Sequence, residues 1–230
     1  MLLIHSPLVG PITLEALANE FRSRGFDVDV PDLRSGLAET RPHWRSILNL
    51  AIASVGDAKP KVIVGHSGAG VMLPQLAQHL QPEVVAYVDA VVPGDGAQHK
   101  ASEEFVAFID ALPREGPLLP PWHAWWGNET MARLIPDEGL RRHIAADTPS
   151  VPRSFYDEAV PLPIDWSARR GCCYLQLSPA YDDDIARART YGWPTTQLDG
   201  RHLDVAAKPA DVAAALIELI ERTRPRSDSA

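Results

Sequence analysis

The chain is poor in cysteine, has no excess of positive charge and lacks long hydrophobic runs. Its two cysteines, Cys172 and Cys173, are adjacent. Two neighbouring cysteines cannot build a disulfide framework or a metal cluster, so we expect both in the buried core. The formal net charge of −8 disfavours binding to nucleic acid or to an anionic membrane surface. No apolar run approaches the about 18 residues that span a bilayer, and the N-terminus does not resemble a signal peptide. We therefore expect a cytoplasmic protein that uses no metal or other cofactor.

What remains is an ordinary globular composition, with 45% hydrophobic and 23% charged residues in a chain of 230. Short apolar segments at residues 2–4, 26–30, 62–64 and 84–92 are typical of strands, and helical spacing of apolar residues lies between them. The same alternation resumes after residue 166, with strands at residues 173–177 and 195–198, a helix at 185–190 and a final helix from Pro209. This order predicts an α/β fold, a mostly parallel sheet with helices on both faces.

The alternation stops between residues 94 and 166, where prolines crowd the chain and only short helices, at residues 103–111 and 128–134, are predicted. We interpret residues 94–166 as a lid inserted into a core formed by residues 1–93 and 167–224. Residues 225–230 are predicted to be a flexible tail.

A serine lies directly after the buried strand at residues 62–64, in the run Gly65-His66-Ser67-Gly68-Ala69. Small residues two positions on either side permit a sharp strand-to-helix turn that exposes the serine hydroxyl. The amide of Gly68 would then stand at a helix N-terminus, where an oxyanion is stabilised. The alternatives are a glycine-rich turn with an unreactive serine, and a phosphate loop, which the missing lysine disfavours.

A nucleophilic serine needs a base, and the chain has eight histidines. We favour His202, because it follows the last predicted strand and so leaves the same sheet edge as Ser67. His66 is expected to point away from the hydroxyl while lining the pocket, and His5 is expected to be structural. His123, in the lid, is a candidate for substrate contact or a solvated loop residue.

These segments together resemble the α/β-hydrolase fold family, in particular its small cytosolic members related to plant methylesterases and bacterial ester or lactone hydrolases. The resemblance rests on four segments: the first strand with its turn (Leu2-Leu3-Ile4-His5), Val30-Pro31-Asp32-Leu33, the serine turn, and Gly200-Arg201-His202. It implies a nucleophile, an acid and a histidine in that order along the chain, with Ser67 and His202 as the first and last. It also implies that residues 94–166 are the family's variable lid.

The chain departs from the family pattern at the oxyanion loop and at the acid. The loop reads His5-Ser6-Pro7, and proline has no N–H to donate, so a second oxyanion donor must come from Leu8, from the Ser6 hydroxyl, or be absent. Ser6 and Pro7 are expected to line the substrate pocket.

Tyr181 occupies the position where the family's acid is expected, and three aspartates follow it. We choose Asp182 as the acid by proximity, with Asp183 and Asp184 as alternatives, although the three also suit the acidic first turn of a helix. Asp89, at the end of the strand after the serine turn, is a rival, or else a buried carboxylate satisfied by backbone amides. Tyr181 is assigned to the substrate pocket.

The lid contains three of the chain's six tryptophans within five residues, together with a histidine: Trp122, His123, Trp125 and Trp126. Their rings are predicted to form an aromatic wall over an apolar pocket. The alternatives are that they pack the lid onto the core, or that they form the contact of a homodimer.

We thus expect a serine hydrolase that cleaves an ester, thioester or lactone of a small hydrophobic molecule, through Ser67, His202 and Asp182 with the Gly68 and Leu8 amides as oxyanion donors. The alternative is a related lyase or cyclase that uses Ser67 and His202 for proton transfer only. A third possibility is a binding protein that retains the fold without turnover.

Overall fold

A computed structural model describes residues 1–224 of the chain. Within them the strands are β1 (Leu2–Ile4), β2 (Val62–Ser67), β3 (Val84–Ala90), β4 (Gln98–His99), β5 (Val160–Pro161), β6 (Cys172–Gln176) and β7 (Thr195–Gln197). The α-helices are α1 (Ile12–Ser23), α2 (His43–Ser54), α3 (Leu73–Leu80), α4 (Glu103–Asp110), α5 (Gly127–Leu134), α6 (Glu138–Asp147), α7 (Asp182–Thr190), α8 (Asp204–Ala207) and α9 (Pro209–Thr223).

The central sheet has five strands in the order β1-β2-β3-β6-β7, and every neighbouring pair is parallel. The three central strands β2, β3 and β6 are buried along their whole length and mostly apolar, as expected where both faces of a sheet are covered, whereas the edge strand β7 is polar and partly exposed. Side chains alternate between the faces, so that Ile63 packs in a core with α2, α3 and α7, while Val62 and Val64 pack in a second core with α1 and α9. The expected mostly parallel sheet with helices on both faces is confirmed.

The segment at residues 26–30 does not form the strand that its alternation predicts. It makes a single parallel bridge between Leu2 and Asp29, in which the Leu3 amide donates to the Asp29 carbonyl at 2.9 Å. Pro31, which follows, has no N–H with which to extend the ladder. The two cysteines lie in β6, both buried and unpaired.

Two buried carboxylates join the lid residues to the N-termini of core helices. Asp147 accepts a hydrogen bond from the Ile12 amide at 2.9 Å, at the start of α1, and forms an ion pair with Arg34 at 2.5 Å. Glu158 accepts hydrogen bonds from the His43 and Trp44 amides, at 3.0 and 3.2 Å, at the start of α2. Neither helix has a side-chain cap of its own. Each carboxylate therefore satisfies free amides and places negative charge where the helix dipole favours it.

The boundaries of the lid at residues 94 and 166 stay a prediction, and the predicted tail at residues 225–230 lies outside the described residues. No helix within residues 1–224 combines the length and the apolar character needed to cross a membrane.

Candidate active site

Ser67 lies at the sharp turn between β2 and the 3-10 turn Gly68–Met72, which leads into α3. Its backbone has φ 59° and ψ −130°, a strained conformation for a residue with a side chain. The turn depends on small neighbours. A Cβ on Gly65 would lie 2.7 Å from Leu73, and one on Gly70 would lie 2.1 Å from the Val91 carbonyl oxygen. The tight packing around the turn thus fixes the position of the Ser67 hydroxyl.

The Ser67 hydroxyl contacts the side chain of His202, as the sequence predicts. His202 lies in the loop between β7 and α8, and its Nε2 is 3.1 Å from Ser67 Oγ. Both residues lie at the carboxyl edge of the parallel sheet, although β2 and β7 are separated by two strands. The carboxylate beside Nδ1 can only accept a hydrogen bond, so Nδ1 is a donor, and in the neutral imidazole Nε2 is then the acceptor that faces the Ser67 hydroxyl.

The carboxylate that contacts His202 belongs to Asp89, not to Asp182. Asp89 Oδ2 accepts a hydrogen bond from His202 Nδ1 at 2.8 Å and another from the Ser178 hydroxyl at 2.6 Å. Its Oδ1 accepts from the amides of Leu177 and Ser178, at 2.8 and 2.9 Å. Burial alone would raise the pKa of Asp89, but these hydrogen bonds, led by the one from His202, hold it below the usual carboxyl value. Asp89 is therefore ionised and is satisfied by backbone amides at the same time.

The three aspartates after Tyr181 form the acidic first turn of α7, which is the alternative that the sequence left open. Asp182 accepts a hydrogen bond from the Gln176 side chain at 2.6 Å and does not reach His202. Asp183 lines the cavity described below. Asp184 accepts from the Val92 amide at 2.7 Å, and burial raises its pKa to about 6.

Asp89 is found only by considering neighbouring strands together. Ser67 ends β2 and pairs with Ala90 of β3, next to Asp89, across a register shift. Asp89 has φ 42°, an uncommon conformation for a non-glycine residue. The feature of the sequence that points to Asp89 is that β2 and β3 are neighbouring strands, so that their ends lie side by side. Proximity to Tyr181 along the chain points instead to Asp182.

His66 is buried behind His202 rather than in the substrate pocket. The two rings stack with their centroids 4.5 Å apart, and His66 Nε2 donates to the His202 backbone carbonyl at 2.9 Å. Burial lowers the pKa of His66 to about 3, so the ring is neutral and its Nδ1 has no proton. His66 supports one face of the His202 ring and fixes the loop that carries it.

The oxyanion loop places Ser6 against the backbone of Gly68. A Cβ on Gly68 would lie 3.1 Å from Ser6 Oγ. The Leu8 amide donates to that same oxygen at 3.3 Å, which engages the N–H that was expected to face an oxyanion. The loop itself is held by His5, whose Nδ1 donates to the Ser6 carbonyl and whose Nε2 accepts from the Leu33 amide. His5 is thus structural, and the Ser6 hydroxyl proton is the donor left beside Gly68.

A cavity of about 680 Å³ opens beside the serine. Of the residues assigned to the site from the sequence, those that line it are Ser6, Pro7, Leu8, Ser67, Gly68 and Tyr181. Its apolar wall also includes residues that sequence reasoning missed, namely Val71, Met72, Val91, Phe105, Phe155 and Tyr156. The lid members of this group are spread over about fifty residues of irregular chain, so no local pattern identifies them.

The tryptophan cluster does not line this cavity. Trp125 packs against Phe105 and Phe108 inside the lid, and its Nε1 donates to the Pro120 carbonyl at 2.7 Å. Trp126 stacks on Phe108 and is 42% exposed. Trp122 lies closer to the site, with its ring centroid 6.4 Å from that of His202. His123 shares the turn of Trp122 and does not line the cavity either. Trp125 and Trp126 thus pack on aromatic residues of the lid itself, which matches neither the predicted pocket wall nor the alternative that they pack the lid onto the core.

Tyr181 has a direct contact with the serine that its assignment to the pocket did not anticipate. Its hydroxyl is 3.1 Å from Ser67 Oγ, and its ring stacks on that of His202 with centroids 5.1 Å apart and planes inclined by 17°. The side chain stands at the N-terminus of α7, between the cavity and the imidazole.

Comparison with known proteins finds similarity in structure alone. No protein-family model matches the chain, and no curated protein sequence matches it. An extracellular α/β-hydrolase from a Paenibacillus species, described as sharing structural and functional homology with tobacco salicylic acid binding protein 2, has a TM-score of 0.70 at 17% identity, over 97% of this chain and 98% of that chain.

Two further solved structures are similar over nearly their whole length. The pyrethroid hydrolase PytH has a TM-score of 0.68 at 18% identity, over 96% of each chain. A tomato methylketone synthase I variant complexed with β-ketoheptanoate has a TM-score of 0.75 at 13% identity, over 97% of each chain. At these identities the likeness concerns the fold, and the cytoplasmic location and the homodimer stay predictions.

Proposed function

We propose that this chain, which has the α/β-hydrolase fold, is a serine hydrolase that cleaves an ester, thioester or lactone of a small hydrophobic molecule. The observation that carries the proposal is the unbroken hydrogen-bonded series from Ser67 through His202 to Asp89, beside a largely apolar cavity. Nucleophile, base and orienting carboxylate each have the partner that acyl transfer requires. The hydrolases among the similar structures agree with this class of reaction.

In the proposed reaction, Ser67 Oγ attacks the substrate carbonyl carbon while its proton passes to His202 Nε2. Asp89 holds the imidazole with Nδ1–H toward its carboxylate and stabilises the imidazolium that forms. His202 then gives the proton to the leaving group, and in the second half-reaction it activates water to cleave the acyl-serine. His66, held neutral, adds no competing positive charge beside the imidazolium.

The oxyanion is stabilised in this proposal by the Gly68 amide and the Ser6 hydroxyl. The Gly68 N–H is among the free donors at the start of a helical turn. Pro7 has no amide proton, and the Leu8 amide is directed at Ser6 Oγ, which leaves the Ser6 proton free to donate. Ser6 is 2% exposed, so its hydroxyl acts in a dry environment where a hydrogen bond to an anion is strong.

The proposal is tested by labelling the purified protein with a fluorophosphonate probe, which reacts with an activated serine. We expect stoichiometric labelling of the wild type and none of Ser67→Ala. Ser54→Ala is the matched control, since it removes an exposed serine hydroxyl from α2. An unlabelled wild type, or labelling that persists in Ser67→Ala, refutes the proposal.

The second candidate is a lyase or cyclase that uses Ser67 and His202 for proton transfer without an acyl-enzyme. Two observations favour it: the oxyanion loop lacks an amide at Pro7, and the fold resembles that of a methylketone synthase as well as hydrolases. Such reactions need no tetrahedral oxyanion. Turnover that survives Ser67→Ala and is abolished in His202→Ala would select this candidate.

A further inference from the structure

The feature that the proposed reaction does not use is the phenol of Tyr181. In the free protein, Ser67 donates its one hydroxyl proton to His202 Nε2, because that nitrogen has none. The Tyr181 contact at 3.1 Å must therefore run from the phenol O–H to Ser67 Oγ. Burial, the dominant influence, raises the pKa of Tyr181, so the phenol keeps its proton throughout the neutral range.

The position of the phenol relative to His202 determines which substrate atom it can reach. The two rings are stacked nearly in parallel, and both present their polar ends to Ser67 Oγ. The phenol therefore lies on the same flank of the nucleophile as Nε2. His202 Nε2 delivers its proton to the leaving group, so that group must also lie on this flank. Ser6 Oγ lies beside Gly68, and in the proposed reaction these two residues hold the oxyanion, so the phenol is left for another substrate atom.

We propose that Tyr181 is a catalytic residue that donates a hydrogen bond to the leaving-group oxygen, and that the enzyme is therefore adapted to oxygen esters or lactones of weakly acidic alcohols rather than to thioesters. This inference rests on the proposed serine hydrolase function and deepens it. Once Ser67 Oγ has bonded to the carbonyl carbon it is a poorer acceptor, and the phenol is released toward the leaving alcohol oxygen, which gains negative charge as its bond to carbon breaks and is then a much stronger acceptor.

The proton and electron balance of the step leaves Tyr181 unchanged. Ser67 Oγ loses its proton to His202 and forms a bond to the carbonyl carbon, while the carbonyl electron pair moves to the oxygen held by Gly68 and Ser6. On collapse, the oxyanion's electron pair re-forms the carbonyl double bond, the bond between carbon and the alcohol oxygen breaks with its electron pair staying on that oxygen, and His202 supplies the proton. Tyr181 keeps its own proton and contributes only the hydrogen bond.

The test compares leaving groups with the same two-carbon skeleton and different basicity. Ethyl butyrate and 2,2,2-trifluoroethyl butyrate share an acyl group, but the second alkoxide is far less basic and needs less stabilisation. The quantity measured is kcat/KM, which reports acylation. For Tyr181→Phe we expect a loss of about 10- to 100-fold with the ethyl ester, the range of a hydrogen bond to a charged group. We expect a loss below about 3-fold with the trifluoroethyl ester and with S-ethyl thiobutyrate, whose sulfur is a weak acceptor.

Tyr181→Phe keeps the ring that stacks on His202, so it removes one oxygen and leaves the packing. Tyr191→Phe is the matched control: it deletes a tyrosine hydroxyl that donates to the Pro93 carbonyl, and neither residue lines the cavity. It should leave the ratio between the two esters unchanged. An equal loss with both esters in Tyr181→Phe, or no loss with either, overturns the inference while the hydrolase assignment stands. A wild type that hydrolyses neither ester and is not labelled at Ser67 refutes the proposed function itself.

Discussion

The assignment of Asp89 as the orienting acid predicts a specific defect in Asp89→Asn. The carboxylate accepts four hydrogen bonds, of which Oδ1 receives the two from the backbone amides of Leu177 and Ser178. Asparagine must keep its one oxygen at that position, because buried amides need an acceptor. Its NH2 group then faces His202 Nδ1 and donates to it. The imidazole is forced into the tautomer with Nε2–H, which cannot accept the proton of Ser67.

The expected cost follows from this change of tautomer and from the lost charge. An imidazolium at position 202 would have no carboxylate beside it, in a site where Asp89 itself is fully buried. A comparable substitution in Ser-His-Asp enzymes lowers kcat by about 10⁴, so we expect a loss of about 10³ to 10⁴, or about 4 to 5.5 kcal/mol of transition-state stabilisation. Asp89 does not line the cavity, so KM should change less than about 3-fold.

The assay is steady-state hydrolysis of an activated butyrate ester, with circular dichroism to establish that the variant is folded. Asp182→Asn is the matched control: it removes a charge from the rival aspartate while its amide oxygen still accepts from Gln176, and it should change kcat less than 2-fold. If folded Asp89→Asn retains more than about a tenth of the activity, or if Asp182→Asn loses as much, the orienting role given to Asp89 is wrong.

Three further predictions concern the oxyanion donor, a titrating carboxyl and the attachment of the lid. Ser6→Ala should lower kcat about 100-fold with little change in KM, and Ser6→Thr should restore most of it, as measured by ester hydrolysis. Burial raises the pKa of Asp184 to about 6, above the unfolded value, so its ionisation costs folding free energy as the pH rises through that range. Asp184→Asn should therefore raise the unfolding free energy by about 1 to 3 kcal/mol at neutral pH but not below about pH 4, in urea titrations with Asp183→Asn as control. Asp147→Asn should lower the unfolding free energy by about 1 to 3 kcal/mol, because Arg34 loses the buried carboxylate with which it forms an ion pair. The control, Glu138→Gln, removes a charge from an exposed ion pair and should lower the unfolding free energy by less than about 0.5 kcal/mol.

The parts of this protein that the sequence predicts well are those encoded in short contiguous segments. Apolar runs bounded by turns identify the strands of the parallel sheet, and small residues around Ser67 identify the sharp turn. His202 is found because it follows the last strand and therefore shares an edge with Ser67. Residues 26–30 show the limit of the same reasoning, since an alternating pattern alone cannot show that Pro31 prevents the ladder from continuing.

Features that depend on which side chains face each other were not available from the sequence. The tryptophans are dense along the chain, but Trp125 and Trp126 pack inside the lid, while the cavity wall is built from Phe105, Phe155 and Tyr156. Local aromatic density does not determine orientation. The position of Leu8 directly after Pro7 suggests its amide as an oxyanion donor. Only the structure shows that this amide already donates a hydrogen bond to Ser6 Oγ.

Under the proposed assignment, the acid on β3 and the phenol at the serine are connected by the geometry at the ends of β3 and β6. The family resemblance implies an acid in the loop after β6. Here Asp89 reaches across from β3 and accepts the amides of Leu177 and Ser178, which begin that loop. The carboxylate thus approaches His202 from β3, and no residue of the loop after β6 is needed to orient the imidazole in the proposed assignment. Tyr181 of that loop then stacks on His202 and directs its hydroxyl to Ser67. An orienting carboxylate on the loop after β6 and a phenol at Ser67 would both have to come from this short segment, so the proposed position of the acid at Asp89 is compatible with a second proton-bearing group beside the serine.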